Sequence, residues 1–290
     1  MNTVFVTGGS SKLGNRVIQG LLPEFRILAT SHRKPLAFPP GGVEILENGL
    51  EQCERFARRI QEAGTILHMA AITHTDDQSR YFSVNHELTR RLLEVCRPTQ
   101  HFVYVSSQCA HPEGGAYARS KWLAEEAIRS SGVNYTIIRP SEVYGSKGGE
   151  GIDALLALAR KTHVVVDFRH RGPVGYSPVS LDETVDFIVK ATRQSRFPRE
   201  TYTLCNDRKY TATEIAGALR SLVRPLAVVP VPVKLLMAAV RLHLPVPFKQ
   251  DQLDRLVVPK TLDNSAAKRD YGFQPRSFLD YLADRAHASK

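Results

Sequence analysis

The chain has 290 residues, 42% hydrophobic and 23% charged, the proportions of a globular protein with room for one large or two unequal domains. Four cysteines (Cys53, Cys96, Cys109 and Cys205) lack the close spacing of a disulfide framework or zinc cluster, and the ten histidines include no HExxH-type pair, so a metal-free protein of a reducing compartment is expected. The net charge of +10 is lopsided: residues 1–150 hold 17 Lys and Arg against 15 Asp and Glu, whereas residues 151–290 hold 22 against 14.

A basic excess is ordinarily a solvated surface, but its bias to the second half makes an anionic ligand or surface there the alternative to weigh. Nucleic acid fits poorly, because no Lys/Arg cluster interleaves with aromatic residues. Residues 1–9, MNTVFVTGG, run directly into a strand and a glycine turn without a charged-then-apolar leader. No apolar run reaches the roughly eighteen residues of a membrane span. A cytoplasmic protein is the expectation.

In chain order, Thr3–Val6 reads as a strand, Thr7-Gly8-Gly9-Ser10-Ser11-Lys12-Leu13-Gly14 as a glycine-rich turn, and Val17, Ile18, Leu21 and Leu22 as one face of a helix. Strand, turn and helix together open a dinucleotide-binding unit: the glycines admit a pyrophosphate to the backbone, and the helix presents its first amides to it. Ser11 stands where the usual fingerprint has its middle glycine, and its hydroxyl is a candidate phosphate ligand. Phe25–Thr30 is a second strand, ending in Ser31-His32-Arg33-Lys34. A site built for NAD places a carboxylate at this strand end for the ribose 2′-hydroxyl. Ser31 and Arg33 suit a 2′-phosphate instead, which favours NADP(H) over NAD(H); a solvated basic turn is the plainer reading.

Val43–Leu46 is a third strand, Glu51–Glu62 an amphipathic helix with Phe56 and Ile60 inward, and Thr65–Ala71 a fourth strand. After a polar loop, a helix from about Ser83 to Cys96 aligns Val84, Leu88, Leu92 and Val95, and Pro98 stops it. His101–Ser107 is a fifth strand, Ala116–Ser130 a helix, and Tyr135–Ile138 a sixth strand ending at Arg139-Pro140. Alternating strands and helices predict a Rossmann-type doubly wound parallel sheet, whose ligands lie beyond the carboxyl ends of the strands. On the helix 116–130, Tyr117 and Lys121 are four apart and share a face. An ammonium beside a phenol stabilises the phenolate and makes the tyrosine a usable proton donor and acceptor. Ser107, at the end of the fifth strand, can hydrogen-bond a substrate oxygen.

Beyond Pro140 the alternation loosens. Helices are predicted over Ile152–Arg160, Leu181–Thr192 and Thr213–Val223, the last capped by Thr211 or Thr213, with strands at Val164–Phe168 and Thr201–Cys205. Arg169–Pro178 is a basic loop that includes Arg171. Ala227–Phe248 is a stretch flanked by prolines around an apolar helix. Within it Val233–Leu244 is apolar except for Lys234, Arg241 and His243, so residues 232–248 either pack on their own domain or a partner subunit, or dock on an anionic membrane. The boundary between a cofactor domain and a mainly substrate-binding region is placed at 145/146, with some later segments returning to the sheet.

These stretches together resemble the extended short-chain dehydrogenase/reductase family, also called the NAD-dependent epimerase/dehydratase family. The matches run in family order over almost the whole chain: TGGSSKLG (7–14), HMAA (68–71), VNHELTRRLLE (84–94), FVYVSS (102–107), YARSK (117–121) and RPSEVYG (139–145). The resemblance implies that Tyr117 is the acid/base, that Lys121 binds the nicotinamide ribose, and that Ser107 positions the substrate oxygen. It implies cofactor contacts from Gly8, Ser10, Ser11, Lys12, Leu13 and Gly14, from Ala70 and Ala71, from Asn85 and from Pro140, and substrate contacts from Gln108, Tyr144 and Arg171 as well as Ser107. Gly49 stands where many members have an adenine-contacting Asp, and the segment from Ser107 to Tyr117 is shorter than usual. The function implied is oxidoreduction of a nucleotide- or diphosphate-linked sugar, most directly 4-keto-sugar reduction. The alternatives are a 4-epimerase that recycles its cofactor, a reductase of a hydrophobic ketone or aldehyde, and a non-catalytic NADP(H)-binding sensor. A homodimer is compatible with all of them.

Overall fold

The computed structural model describes residues 2–32, 35, 36, 38, 41–145, 151–194, 199–220, 226–246 and 248–287. In chain order, β1 (Asn2–Thr7), α1 (Lys12–Leu21), β2 (Phe25–Ser31) and β3 (Val43–Glu47) are followed by a 3₁₀ turn, Cys53–Phe56, that leads into α2 (Ala57–Glu62). After β4 (Thr65–His68), α3 (Ser79–Tyr81) passes through a π-helical segment, Phe82–Glu87, into α4 (Leu88–Val95). Then come β5 (His101–Val105), α5 (Ala116–Ser130), β6 (Asn134–Pro140), β7 (Val143–Tyr144), α6 (Gly151–Thr162), β8 (Val164–Arg169) and β9 (Val179–Ser180). The remainder is α7 (Leu181–Arg193), β10 (Glu200–Leu204), α8 (Ala212–Leu219), β11 (Ala227–Pro232), α9 (Val233–Arg241), α10 (Gln250–Val257), α11 (Ser265–Tyr271) and α12 (Phe278–His287).

Seven strands form one sheet in the order β10-β6-β5-β4-β1-β2-β3. Its pairings from β3 through to β6 are all parallel, with register Val4↔Ile27 between β1 and β2 and Val6↔Leu67 between β1 and β4. The winding reverses between β1 and β4, so the ends of these two strands form the topological switch point at which such sheets bind ligands. β4 and β5 are buried along their whole length, as strands covered on both faces must be. The core on one face joins Phe5, Leu28, Ile66 and Phe102 of the sheet to Leu88, Leu92, Ala124 and Ile128 of α4 and α5.

The chain divides into two compact units, Met1–Arg139 with Thr184–Tyr202, and Pro140–Glu183 with Thr203–Lys290. The division thus falls six residues before the boundary expected from sequence, and the segment that returns to the first unit carries most of α7 and the start of β10. The second unit has a core of its own, with Tyr144, Ile152, Leu156, Phe168, Ile215, Leu253 and Phe278 in it. There β8 and β11 pair in parallel as a two-stranded ribbon, Val229 opposite Val166. β11 occupies the proline-containing start of this stretch, ahead of the apolar helix. Pro230 and Pro232 alternate, so both lose an N–H on the same edge, and a strand with one neighbour tolerates that on the side away from β8.

Candidate active site

β1 ends in Thr7 and turns at Gly8, whose φ is +75°, a conformation that favours glycine. A Cβ on Gly8 would stand 2.6 Å from the Ala70 backbone nitrogen, and one on Gly14 would stand 2.3 Å from the Gly8 carbonyl oxygen. Both glycines are therefore demanded by close backbone approach, the first between the turn and the end of β4, the second between the turn and α1. Ser11 is the N-cap of α1: its Oγ accepts from Gly14 N at 2.9 Å and donates to Gly8 O at 3.0 Å. The hydroxyl read from sequence as a phosphate ligand has its proton committed inside the loop, and what it secures is the shape of the cradle. Ser10 and Lys12 are exposed beside it and Leu13 is half-buried. These residues fit a dinucleotide: the glycines clear the approach and the amides of the first turn of α1 open onto the loop.

At the end of β2, Ser31 is half-buried and its carbonyl accepts from Asn48 N at 2.8 Å. Arg33 lies outside the described residues. Glu51 brings a carboxylate to this strand end, 3.3 Å from His32 Nδ1, which the sequence alone did not place there. Gly49 sits in a turn in which a Cβ would meet Thr30 Cγ2 at 2.9 Å, so the aspartate common at this position would force a shift.

Below the switch point lies a chain of buried hydrogen bonds. Thr7 Oγ1 is 2.6 Å from His68 Nδ1, and His68 Nε2 is 2.8 Å from Thr89 Oγ1. Thr89 donates to the Asn85 carbonyl at 2.8 Å, and Thr7 Oγ1 accepts from Ala70 N at 3.2 Å. Burial, with the Lys121 charge nearby, drives His68 down to about 3, so it is a neutral imidazole over the working pH range. Asn85 sits in the π-helical segment, a local widening that recurs at functional sites. Its side chain brackets Ile72, accepting from Ile72 N at 2.8 Å and donating to Ile72 O at 3.1 Å, and also donates to Ser120 Oγ at 3.1 Å. Ser120 donates in turn to the Tyr117 carbonyl at 2.8 Å. The stretch after β4 that contains Ala70 and Ala71 is thus pinned by Thr7 on one side and Asn85 on the other.

Tyr117 and Lys121 are both buried on α5. The Lys121 Nζ donates to the Val105 carbonyl at 2.9 Å and lies 4.2 Å above the centre of the Tyr104 ring. Burial pushes the ammonium down to about 7, while the Glu125 carboxylate one turn on acts in the opposite sense. The Tyr117 ring meets Tyr81 edge-on, with centroids 5.7 Å apart. The buried Tyr81 donates to Thr73 O at 3.3 Å and accepts from Thr75 N at 3.2 Å, so it braces both the catalytic candidate and the loop after β4.

Ser107, just past β5, accepts from Cys109 N at 3.2 Å in a tight turn that also buries Gln108. Its neighbour Ser106 donates to Glu125 at 2.6 Å. Glu125 also accepts from Arg139 Nε at 2.8 Å and from Arg129 at 2.8 Å. One fully buried carboxylate therefore ties together the end of β5, α5 and the end of β6. Pro140 closes β6 and is buried.

Of the substrate candidates in the second unit, Tyr144 is buried in aromatic contact with Phe278 and Tyr281, at centroid distances of 5.0 and 4.4 Å, within that unit's core. Arg171 is exposed at the tip of a turn, with φ 55° ahead of Gly172. Among the described residues no group of His, Cys, Asp and Glu side chains is arranged to hold a metal.

Residues 1–284 match the family model described as the RmlD substrate binding domain, and the chain belongs to this family, within the extended short-chain dehydrogenases/reductases. Similar structures include a dTDP-glucose 4,6-dehydratase, DesIV, from Streptomyces venezuelae with NAD and TYD bound: 18% identity, 99% of this chain and 97% of that one, TM-score 0.74. A UDP-glucuronic acid 4-epimerase from Bacillus cereus in complex with UDP-glucuronic acid and NAD is 15% identical over 99% of this chain and 100% of that one, TM-score 0.72. At such identities the likeness is one of fold. A ceramide reductase of Caulobacter vibrioides is 26% identical over 167 residues; the match spans 56% of this chain and 52% of that protein, about half of its length.

Proposed function

We propose that this protein is an NADP(H)-dependent oxidoreductase that reduces a keto group on a nucleotide- or diphosphate-linked sugar. The observation that carries the reading is the pair formed by Tyr117 and the buried Lys121 on α5, beside the end of β5 in a sheet whose switch point presents a glycine cradle. When bound, the cofactor supplies a hydride from nicotinamide C4. Tyr117 delivers the proton to the oxygen that becomes the hydroxyl, and Ser107 holds that oxygen by a hydrogen bond. Lys121, at about 7, is charged over the lower half of the neutral range; there it holds the ribose and favours the tyrosinate left after proton transfer. Arg171, an exposed cation of the second unit, is assigned to the anionic part of the substrate.

NADP(H) preference rests on Ser31 and Arg33 in place of a strand-end acid, and Glu51 is the group that opposes it. Losing a charge-assisted hydrogen bond costs about 1.5–3 kcal/mol, so Arg33→Ala is expected to weaken NADPH by roughly ten- to a hundred-fold and leave NADH nearly unchanged. Equal affinity of the unmutated protein for the two cofactors would remove this part of the proposal. Mass spectrometry of the protein as purified separates reductase from epimerase: tightly held NAD supports a recycling epimerase, and an empty site that takes up NADPH supports a reductase.

A second reading, reduction of a hydrophobic ketone, is favoured by one observation, the ceramide reductase relative. Side-by-side turnover of a nucleotide 4-keto-sugar and a long-chain lipid ketone with NADPH decides between the two substrates. Turnover of neither, with NADPH bound, would leave a sensor and sink both.

A further inference from the structure

α9 has two apolar sides. At 100° per residue Val233, Leu236, Met237 and Val240 point one way, and these four pack against the core of the second unit. Leu235 and Leu242, seven apart, point the other way and are 65% and 71% exposed, with the exposed Ala238 between them. Leu244, just past the helix, is 53% exposed. Lys234 and Arg241, also seven apart and exposed, form a second row about a quarter-turn from the leucines. Along the sequence, the stretch from Ile215 to Gln250 carries five Lys or Arg and no Asp or Glu. On α10, the Asp254 carboxyl feels the Arg241 charge.

We propose that the outward face of α9 docks on an anionic phospholipid bilayer, with Leu235, Leu242 and Leu244 entering the acyl boundary and Lys234 and Arg241 meeting lipid phosphates. Leucines in one row with cations along its edge are what a helix lying in the interface plane requires. Anionic headgroups draw basic segments to the surface, so charge and apolar area act together. The helix lies on the bilayer and does not cross it; no helix among the described residues is long and apolar enough to span one. A second copy of this chain fits the face less well. A two-fold contact sets a patch against itself, and here it would oppose the cation row and the acid-free stretch to their own copies. The surface is independent of which substrate the first unit takes.

The test is flotation of the full chain with phosphatidylcholine vesicles that contain or lack phosphatidylglycerol, at physiological salt, alongside sedimentation of the protein alone. Flotation with the phosphatidylglycerol vesicles only is expected. Leu235→Glu combined with Leu242→Glu should cut the bound fraction by at least about tenfold, with unchanged melting temperature and NADPH affinity because both side chains already stand in water. Lys234→Glu with Arg241→Glu should abolish the preference for phosphatidylglycerol. A wild-type protein that stays soluble with both vesicles, floats equally with both, or sediments as a dimer that the leucine variants dissociate overturns the proposal; the last result would assign the face to a second copy.

Discussion

At the ends of β1 and β4, polar groups are buried and linked in series: Thr7 to His68, His68 to Thr89, Thr89 to Asn85, Asn85 to Ser120. On the outward side of α9 the reverse holds, and leucines stand in water beside cations. Each arrangement departs from the ordinary rule that apolar groups are inside and polar ones outside, and each departure costs stability unless something offsets it. In the first region the offset is internal, because the hydrogen bonds are made within the fold and no ligand is needed to complete them. In the second the described residues supply none. A site that must hold a cofactor in one geometry is built stiff beforehand, whereas a surface that meets a soft partner can stay open until the partner arrives.

The largest expected effect lies in the stiff region. Tyr117→Phe removes one hydroxyl and should lower kcat by roughly 10²–10⁴ with NADPH affinity retained; a near-normal kcat would move the proton-transfer role elsewhere. Next is Glu125→Gln, which takes the charge from a carboxylate held by Ser106, Arg129 and Arg139. Because the arginines keep some solvent, a loss of about 2–3 kcal/mol in denaturant unfolding is expected, below the roughly 3–5 kcal/mol of a fully buried pair. The same variant should also move the pH dependence of cofactor binding downward, since Glu125 supports the charge on Lys121.

That dependence has a definite sign. Lys121 is charged below about 7 in the folded protein but below about 10.5 in the unfolded chain. Cofactor affinity should therefore fall as pH rises through 7. Stability should rise over the window from 7 toward 10.5, where the unfolded chain holds the extra proton. Titration of NADPH binding and of the urea midpoint checks both, and Lys121→Met should flatten the two curves. The smallest effect is predicted for the open region. Leu235→Ser should change stability by no more than about 0.5 kcal/mol, whereas Leu236→Ala, one position round the helix and packed on the core, should cost measurably more. Equal losses for the two would mean that the outward face is covered in the folded protein.

What could be read ahead depended on how local its cause is. The bounds of α5 coincide with the span expected from its sequence pattern, Ala116–Ser130, because a one-turn spacing of inward residues needs no distant partner to be seen. α3 starts at Ser79, earlier than the apolar repeat suggests, because the π-helical segment puts Tyr81 out of phase with Leu88 and Leu92. No elements were expected beyond Phe248, where α10, α11 and α12 form. Within the site, Gly8 and Gly14 were visible as a motif, but the capping role of Ser11 depends on which way its hydroxyl turns. His68, Thr89 and Tyr81 gave no signal as a group. His68 is 61 residues from Thr7 and 21 from Thr89, and only the sheet brings them together. Glu125 had a trace in the sequence, four residues past Lys121 on the same face, yet its partners Ser106 and Arg139 arrive from two different strands.

The widened turn at Phe82–Glu87 has a consequence for how this helix tolerates change in length. A π-helical turn holds one residue more than an α-helical turn, so it can be regarded as a single-residue insertion that the helix absorbs locally. Deleting Ser83 would let the helix close to an ordinary pitch and recover regular hydrogen bonds. It would also swing Asn85 about 100° around the axis, away from Ile72 and Ser120, and uncouple the loop after β4 from α5. A shortened chain of this kind would have a more regular helix yet lose the three hydrogen bonds of a buried Asn85, so it should melt earlier and bind cofactor poorly, separating the order of the helix from the use made of it.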